Sequence, residues 1–151
     1  MIQGVVVKSL KVIPDERGEL MEILRNDDRF FRKFGQVYMT KVYPGVVKGW
    51  HYHKKQWDHF AVVSGMAKLV LHDARPKSRT HGQIQEFFLG DRNPILVAIP
   101  PLVTHGIKGV GTQAVILINI PSEPYHYKKP DEFRMDPHGG EVPYDWSRRD
   151  G

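Results

Sequence analysis

Gly45-Val-Val-Lys-Gly-Trp-His51-Tyr-His53-Lys-Lys-Gln-Trp-Asp58-His-Phe-Ala-Val-Val-Ser-Gly65 is the stretch on which the rest of the chain turns. On an extended strand, residues two apart point to one face. An extended His51-Tyr52-His53 therefore aims both imidazoles to one side and Tyr52 to the other. Asp58 follows five residues after His53, and the apolar run Phe60 to Val63 leads to a turn at Ser64-Gly65. Two imidazoles and a carboxylate converging on one cavity make either a metal site or an acid/base site. A His-x-His on a strand can equally be no more than a polar face.

Outward from this stretch, the chain reads as short strands separated by turns. Residues 2–13 and Leu20 to Leu24 carry strand-type residues on either side of a polar turn, Asp15-Glu16-Arg17-Gly18. Asp27 to Phe34 has the makings of one helical turn. Gln36 to Tyr43 alternates polar and apolar residues. Beyond the His stretch, Lys68 to Asp73, Ile84 to Leu89 and Ile95 to Ile99 read as strands, with a polar loop over 74–82 and a break at Pro100-Pro101. Ala114 to Ile120 is nearly all apolar, which predicts a strand buried on both faces. Residues 121–151 are rich in proline, aromatics and charge, and predict an irregular tail wrapping the body.

The chain has 151 residues, enough for one domain with a real core. Eleven prolines and fourteen glycines argue against a helical protein. Many short strands with regular turns predict an all-β jelly roll: N-terminal strands over 1–43, a barrel over 44–120 and the tail over 121–151, in a single domain. The absence of cysteine excludes disulfides and thiolate zinc sites, and fits a cytoplasmic protein. No apolar run is long enough to cross a bilayer, and no signal-peptide core is evident at the N-terminus, so no membrane partner is expected. The formal charge of +5 is spread in short pairs such as Lys54-Lys55 and Lys128-Lys129. That pattern predicts a small anionic ligand rather than nucleic acid.

The spacing Gly45, His51, His53, Asp58, Gly65, followed by Gly90, Pro100 and His105, resembles the two motifs of the cupins, whose fold is the double-stranded β-helix. In metal-binding cupins the ligands would be His51, His53, Asp58 and His105, a donor set suited to a divalent transition metal. A longer resemblance runs almost end to end. Asp15-Glu16-Arg17-Gly18 with Glu22, Phe34-Gly35-Gln36, Lys48-Gly49-Trp50-His51, the loop Arg75 to Gly82, Pro100 to Gly106, Ser122-Glu123-Pro124-Tyr125 and Tyr144-Asp145-Trp146 resemble successive segments of the dTDP-4-dehydrorhamnose 3,5-epimerase family, itself a cupin family. The chain looks like a short, divergent member.

That resemblance implies an isomerase of deoxysugar and polysaccharide synthesis, acting without a cofactor on a nucleotide-linked 4-keto-6-deoxy sugar. A proton is removed beside the ketone and returned from the other face, which needs a base, an acid and a group to hold the enolate oxygen. By resemblance His51 is the base, Asp145 orients it, and Tyr125 is the acid. Arg17, Glu22, Gln36, Lys48, Gln56, Asp58 and His105 would contact substrate. A homodimer is implied, with Arg17 serving the neighbour's site. Asp58 stands where the family carries lysine, and an acid beside a developing oxyanion repels it unless paired. Two other readings stay open: a metal-dependent enzyme using His51, His53, Asp58 and His105, and a non-catalytic sugar-nucleotide binder. A metal on His51 would compete with its use as a base.

Overall fold

The computed structural model describes residues 1–150; Gly151 lies outside the described residues. Twelve strands occur among them: β1 (Val6–Ser9), β2 (Val12–Asp15), β3 (Gly18–Met21), β4 (Tyr38–Val42), β5 (Val47–Tyr52), β6 (Asp58–Ser64), β7 (Met66–Asp73), β8 (Ile84–Gly90), β9 (Ile95–Ile99), β10 (Val103–Val110), β11 (Val115–Asn119) and β12 (Phe133–Arg134). One sheet has the order β1-β9-β6-β11-β4 and the other β12-β5-β10-β7-β8; β2 and β3 form a separate hairpin. All named strand pairs are antiparallel. The all-β jelly roll expected from the turn spacing is the fold observed.

Both flanks of the chain supply sheet strands. β1 and β4 are the two edges of the first sheet, and β12, from the tail, pairs with β5 at an edge of the second. The stretch 27–34 is a turn closed by the Phe31 amide donating to Asp28 O rather than a helix. Asp28 is instead tied down by Lys8, whose Nζ donates to it at 2.7 Å.

Alternation explains the two-sided burial of the inner strands. Along β6, Phe60 and Val62 point between the sheets, where they join Leu69, Leu71, Val97, Ile99, Ile107 and Leu117. Ala61, on the other face, packs with Leu96, Ala98 and Leu10 beneath Ile23, Leu24 and Phe30. The second sheet is covered outside by the tail: Val142 and Trp146 bury Trp50 and Val70.

β10 is a strand that composition disguises. Gly106 and Gly109 lower strand propensity, yet each glycine marks a close approach. A Cβ at Gly106 would lie 2.9 Å from the Trp146 ring and 3.2 Å from the Trp50 ring. One at Gly109 would lie 2.7 Å from the Tyr43 carbonyl oxygen. The strand is thinned so that the tail can seat on one side and the turn after β4 on the other.

Candidate active site

The register of β5 and β10 sets His51 opposite His105. Their rings stand edge to face with centroids 4.1 Å apart, and Phe60 closes against His105 at 5.4 Å. His53, just past the end of β5, aims its ring the same way; its centroid lies 5.9 Å from that of His51 and 5.8 Å from that of His105. Ring nitrogens of the three histidines lie within 4.8 Å of one another.

Asp58, the first residue of β6, faces these imidazoles from the opposite sheet and is 1 % exposed. Its Oδ2 lies 3.1 Å from His53 Nε2 and 3.4 Å from His105 Nε2. Its Oδ1 accepts from Gln56 Nε2 and from Asn119 Nδ2, each at 2.8 Å. Asn119 Nδ2 also lies 2.8 Å from the Tyr38 hydroxyl, and Asn119 Oδ1 accepts the His59 amide. A buried carboxylate is tolerated only when so satisfied. Burial pushes its pKa up, but the His105 and His53 imidazoles facing it outweigh that and hold the carboxyl well below its usual range.

The tautomers follow from the acceptors. His53 Nδ1 donates to the Asp131 carbonyl oxygen, and His105 Nδ1 to that of Val103 at 3.0 Å. A carbonyl can only accept, so each Nδ1 carries a proton and each Nε2 points inward. With its Nε2 also facing a carboxylate, His53 has acceptors at both nitrogens, the environment of an imidazolium. Burial pulls its pKa down, and the bond to Asp58 more than reverses this. His51 differs: enclosure, then His105, lower its pKa well below that of free histidine. His51 is therefore a neutral imidazole at neutral pH.

Two lobes open from His51. One, of about 630 Å³, is lined by Tyr38, Lys48, Phe60, Leu117 and Arg134 among others. The second, of about 400 Å³, is lined by Gln36, His53, Gln56, Tyr125, Asp131 and again Arg134. Lys48 Nζ donates to Thr40 at 2.8 Å, and Gln36 Oε1 accepts the Tyr125 amide at 3.1 Å. So the fold brings His51, His53, Gln56, Asp58 and His105 to one centre, with Lys48, Gln36 and Tyr125 around it.

Three expected residues lie elsewhere. Arg17 is at the tip of the β2–β3 hairpin, 85% exposed and paired with Asp15. Glu22 is exposed and pairs with Arg25. The expected support of His51 by Asp145 is corrected by the structure. Asp145 is exposed, and its two oxygens accept from the Ser147 amide and hydroxyl. The reason is the next residue: Trp146 packs tilted against Trp50, 4.8 Å between centroids, on the outer face of the sheet, whereas His51 faces inward. The buried carboxylate near the imidazoles is Asp58.

Sequence reasoning missed Tyr38, Asn119, Asp131 and Arg134. Asn119 carried a signal, being the one polar residue in an otherwise apolar buried strand. Asp131 carried none: its side chain accepts the amides of Lys54, Lys55 and Gln56 from a distant loop. Arg134 reaches the site because β12 pairs it with His51.

Comparison with known proteins places the chain. Residues 13–133 match the model of the polysaccharide biosynthesis C-terminal domain family. The chain belongs to that family. Its place among the dTDP-sugar epimerase-like cupins follows from a solved dTDP sugar isomerase of Desulfovibrio desulfuricans, 31% identical with a TM-score of 0.92, covering 99% of this chain and 94% of that one. A dTDP-4-dehydrorhamnose 3,5-epimerase from Sulfolobus tokodaii is 27% identical with a TM-score of 0.79, over 89% and 78%. Among curated proteins, a spore coat polysaccharide biosynthesis protein of Bacillus subtilis is 37% identical over 97% of both chains. A "probable low-salt glycan biosynthesis epimerase" of Haloferax volcanii is also 37% identical, over 97% of this chain and 95% of that one. Among the described residues of this cupin, no helix is long and apolar enough to cross a membrane, which says nothing of strands.

Proposed function

We propose that the chain is an epimerase of polysaccharide synthesis, acting in the cytoplasm on a nucleotide-linked 4-keto-6-deoxy sugar in the manner of the dTDP-4-dehydrorhamnose 3,5-epimerases. The observation that carries this reading is the enclosed His51 imidazole sharing a cleft with the Tyr125 phenol. A base must be unprotonated before it can act, and enclosure keeps His51 so at neutral pH. Placed beside the C3 or C5 hydrogen of a 4-keto sugar, it takes that proton and leaves an enolate. Tyr125, held from the tail by Gln36, returns a proton from the other side.

The enolate oxygen needs a positive neighbour, and Asp58 in place of the family lysine supplies none. Lys48 and Arg134 line the lobe that contains His51 and fill that role, Arg134 by turning from the Glu132 carboxylate with which it is paired at 2.7 Å. The negative charge of Asp58 is already engaged by His53 and His105, so it does not oppose the enolate as an unpaired carboxylate would. Its part is to fix the imidazole cluster. In this reading the β2–β3 hairpin, with Ile13 and Leu20 exposed, docks on a second copy in a homodimer and delivers Arg17 to the neighbour's substrate.

One observation favours a second reading. His53 and His105 each bind a carbonyl through Nδ1 and turn Nε2 inward, which is how metal-ligating histidines are commonly held. With His51 they could hold a divalent transition metal, provided His53 gave up its Nε2 proton and Asp58 released the ring. Such an ion would polarise the substrate carbonyl.

The test is to treat the purified protein with chelator and incubate it with a dTDP-4-keto-6-deoxyhexose. Epimer appearing by NMR at an undiminished rate supports the metal-free reading. Activity lost on chelation and restored by metal favours the second. Nucleotide binding with neither epimer nor exchange makes the chain a binding protein.

A further inference from the structure

The outer face of the second sheet carries a cluster that the epimerase chemistry does not use. Lys68 on β7 and Lys108 on β10 are direct cross-strand partners, and both project to the side away from the histidines. Like charges placed directly opposite destabilise a sheet. Lys68 is only 7% exposed, yet among the described residues no carboxylate lies within ion-pair distance of either ammonium. The Lys68 ammonium lies over the rings of Tyr144 and Trp146, at 5.2 and 5.8 Å, and Lys108 Nζ donates to the Trp146 carbonyl at 2.5 Å.

A buried cation is costly unless something answers its charge. The acids nearby are engaged elsewhere. Glu86 accepts from the Tyr144 hydroxyl at 2.5 Å and lies 3.6 Å from Arg149. Asp145 is capped by Ser147, and Asp150 holds Arg148. Burial, with Lys108 and Arg149 against it and Glu86 for it, leaves the Lys68 ammonium with a lowered pKa. Both lysines open into a cleft of about 450 Å³, walled by Phe88, Val110 and the Glu86 carboxylate that the Tyr144 hydroxyl engages, and rimmed by Arg148 and Arg149.

We propose that this cleft is a second binding site, for a phosphate-class anion, separated from the catalytic pocket by the thickness of the sheet. Two ammoniums at its floor match the charge and the oxygen-rich surface of a phosphate or diphosphate, and the exposed guanidiniums of Arg148 and Arg149 stand at the rim to turn to it from Asp150 and Glu86. Phe88, half exposed beside Lys68, gives an apolar wall for whatever carries the phosphate. Bound there, the anion relieves the lysine–lysine repulsion and ties the tail to the sheet through its arginines.

The experiment is calorimetric titration of the intact protein with inorganic pyrophosphate, and in a second arm with dTDP. Wild type should bind pyrophosphate, and Lys68→Met should weaken it by about tenfold or more, the loss of one charge-assisted contact. Lys68→Met keeps the aliphatic stem under the rings. The exposed pair Arg148→Gln/Arg149→Gln removes the rim without touching the core, and should weaken binding similarly. Lys48→Met with Arg134→Gln, in the catalytic lobes, should leave in place the binding component that Lys68→Met removes, whatever pyrophosphate does in the catalytic pocket. In the dTDP arm, a site that takes the nucleotide as well as the free anion shows a component lost with Lys68→Met; if that component is absent, the ligand is the free anion. The proposal is overturned if wild type shows no pyrophosphate binding, if both outer-face variants bind as wild type does, or if the loss follows Lys48 and Arg134 instead.

Discussion

Asp58→Asn removes one charge from the centre of the site and leaves its shape. An asparagine can keep its carbonyl oxygen toward Gln56 and Asn119, so those two hydrogen bonds at 2.8 Å survive. Its amide then faces His53 Nε2, which is held in the protonated state by Asp58 at 3.1 Å. Two N–H groups cannot share that space, so His53 must surrender its Nε2 proton. Breaking a buried pair costs about 3–5 kcal/mol when the other charge is stranded. His53 can neutralise, which puts the cost at the lower end, about 3 kcal/mol. For a chain of this length that lowers Tm by about 6–12 °C. The deficit depends on pH. His53 has a raised pKa, so its contribution is complete below the unfolded value of about 6.5 and is lost as pH rises through the folded value. Thermal melts of both proteins should therefore differ most near pH 6 and less near pH 9. Equal melting temperatures at pH 6, or a gap that widens with alkali, would refute the paired assignment.

Other expectations follow from the same geometry. Burial keeps His51 and His59 neutral, with folded pKa values below the unfolded 6.5. The stability this gives is present above about pH 6.5 and is lost as pH falls, because the unfolded chain then binds more protons; melts from pH 7 to 5 should show it, and His59→Gln should flatten the slope. Tyr125→Phe should slow epimer formation by about 10²–10⁴-fold while proton exchange at the abstracted carbon suffers less, since His51 can return a proton to the face it came from; NMR of the recovered substrate separates the two. Arg134→Ala should reduce kcat by about 10²-fold if its guanidinium holds the enolate oxygen, whereas an effect confined to KM would make it a binding residue only. Gly106→Ala should cost about 1–3 kcal/mol by driving a methyl into the Trp146 and Trp50 rings, and denaturant melts would register it.

Much of the site was legible because strand alternation is a local property. His51 and His53 had to share a face, and Asp58 opens the next strand. The two-sheet fold followed from the same periodicity and from the turns. What the sequence hid was set by distant pairings. The charge on Asp58 depends on Asn119 and on histidines in the opposite sheet, so its role as an anchored, paired carboxylate could not be read from its neighbours. Asp145 was a partner for His51 by resemblance, and the tail's path is invisible until Trp146 is seen packed against Trp50. β10 was obscured by glycines whose purpose is the close approach of other segments. Arg134 entered the site only through a two-residue strand, too short to announce itself.

The most direct measurement is the fate of the protons beside the ketone. With a dTDP-4-keto-6-deoxyhexose in D2O and chelator present, the wild-type protein should wash deuterium into C3 or C5, as followed by NMR. His51→Ala should slow that exchange by about 10²–10⁴-fold. Exchange that proceeds equally fast without the imidazole would contradict the account.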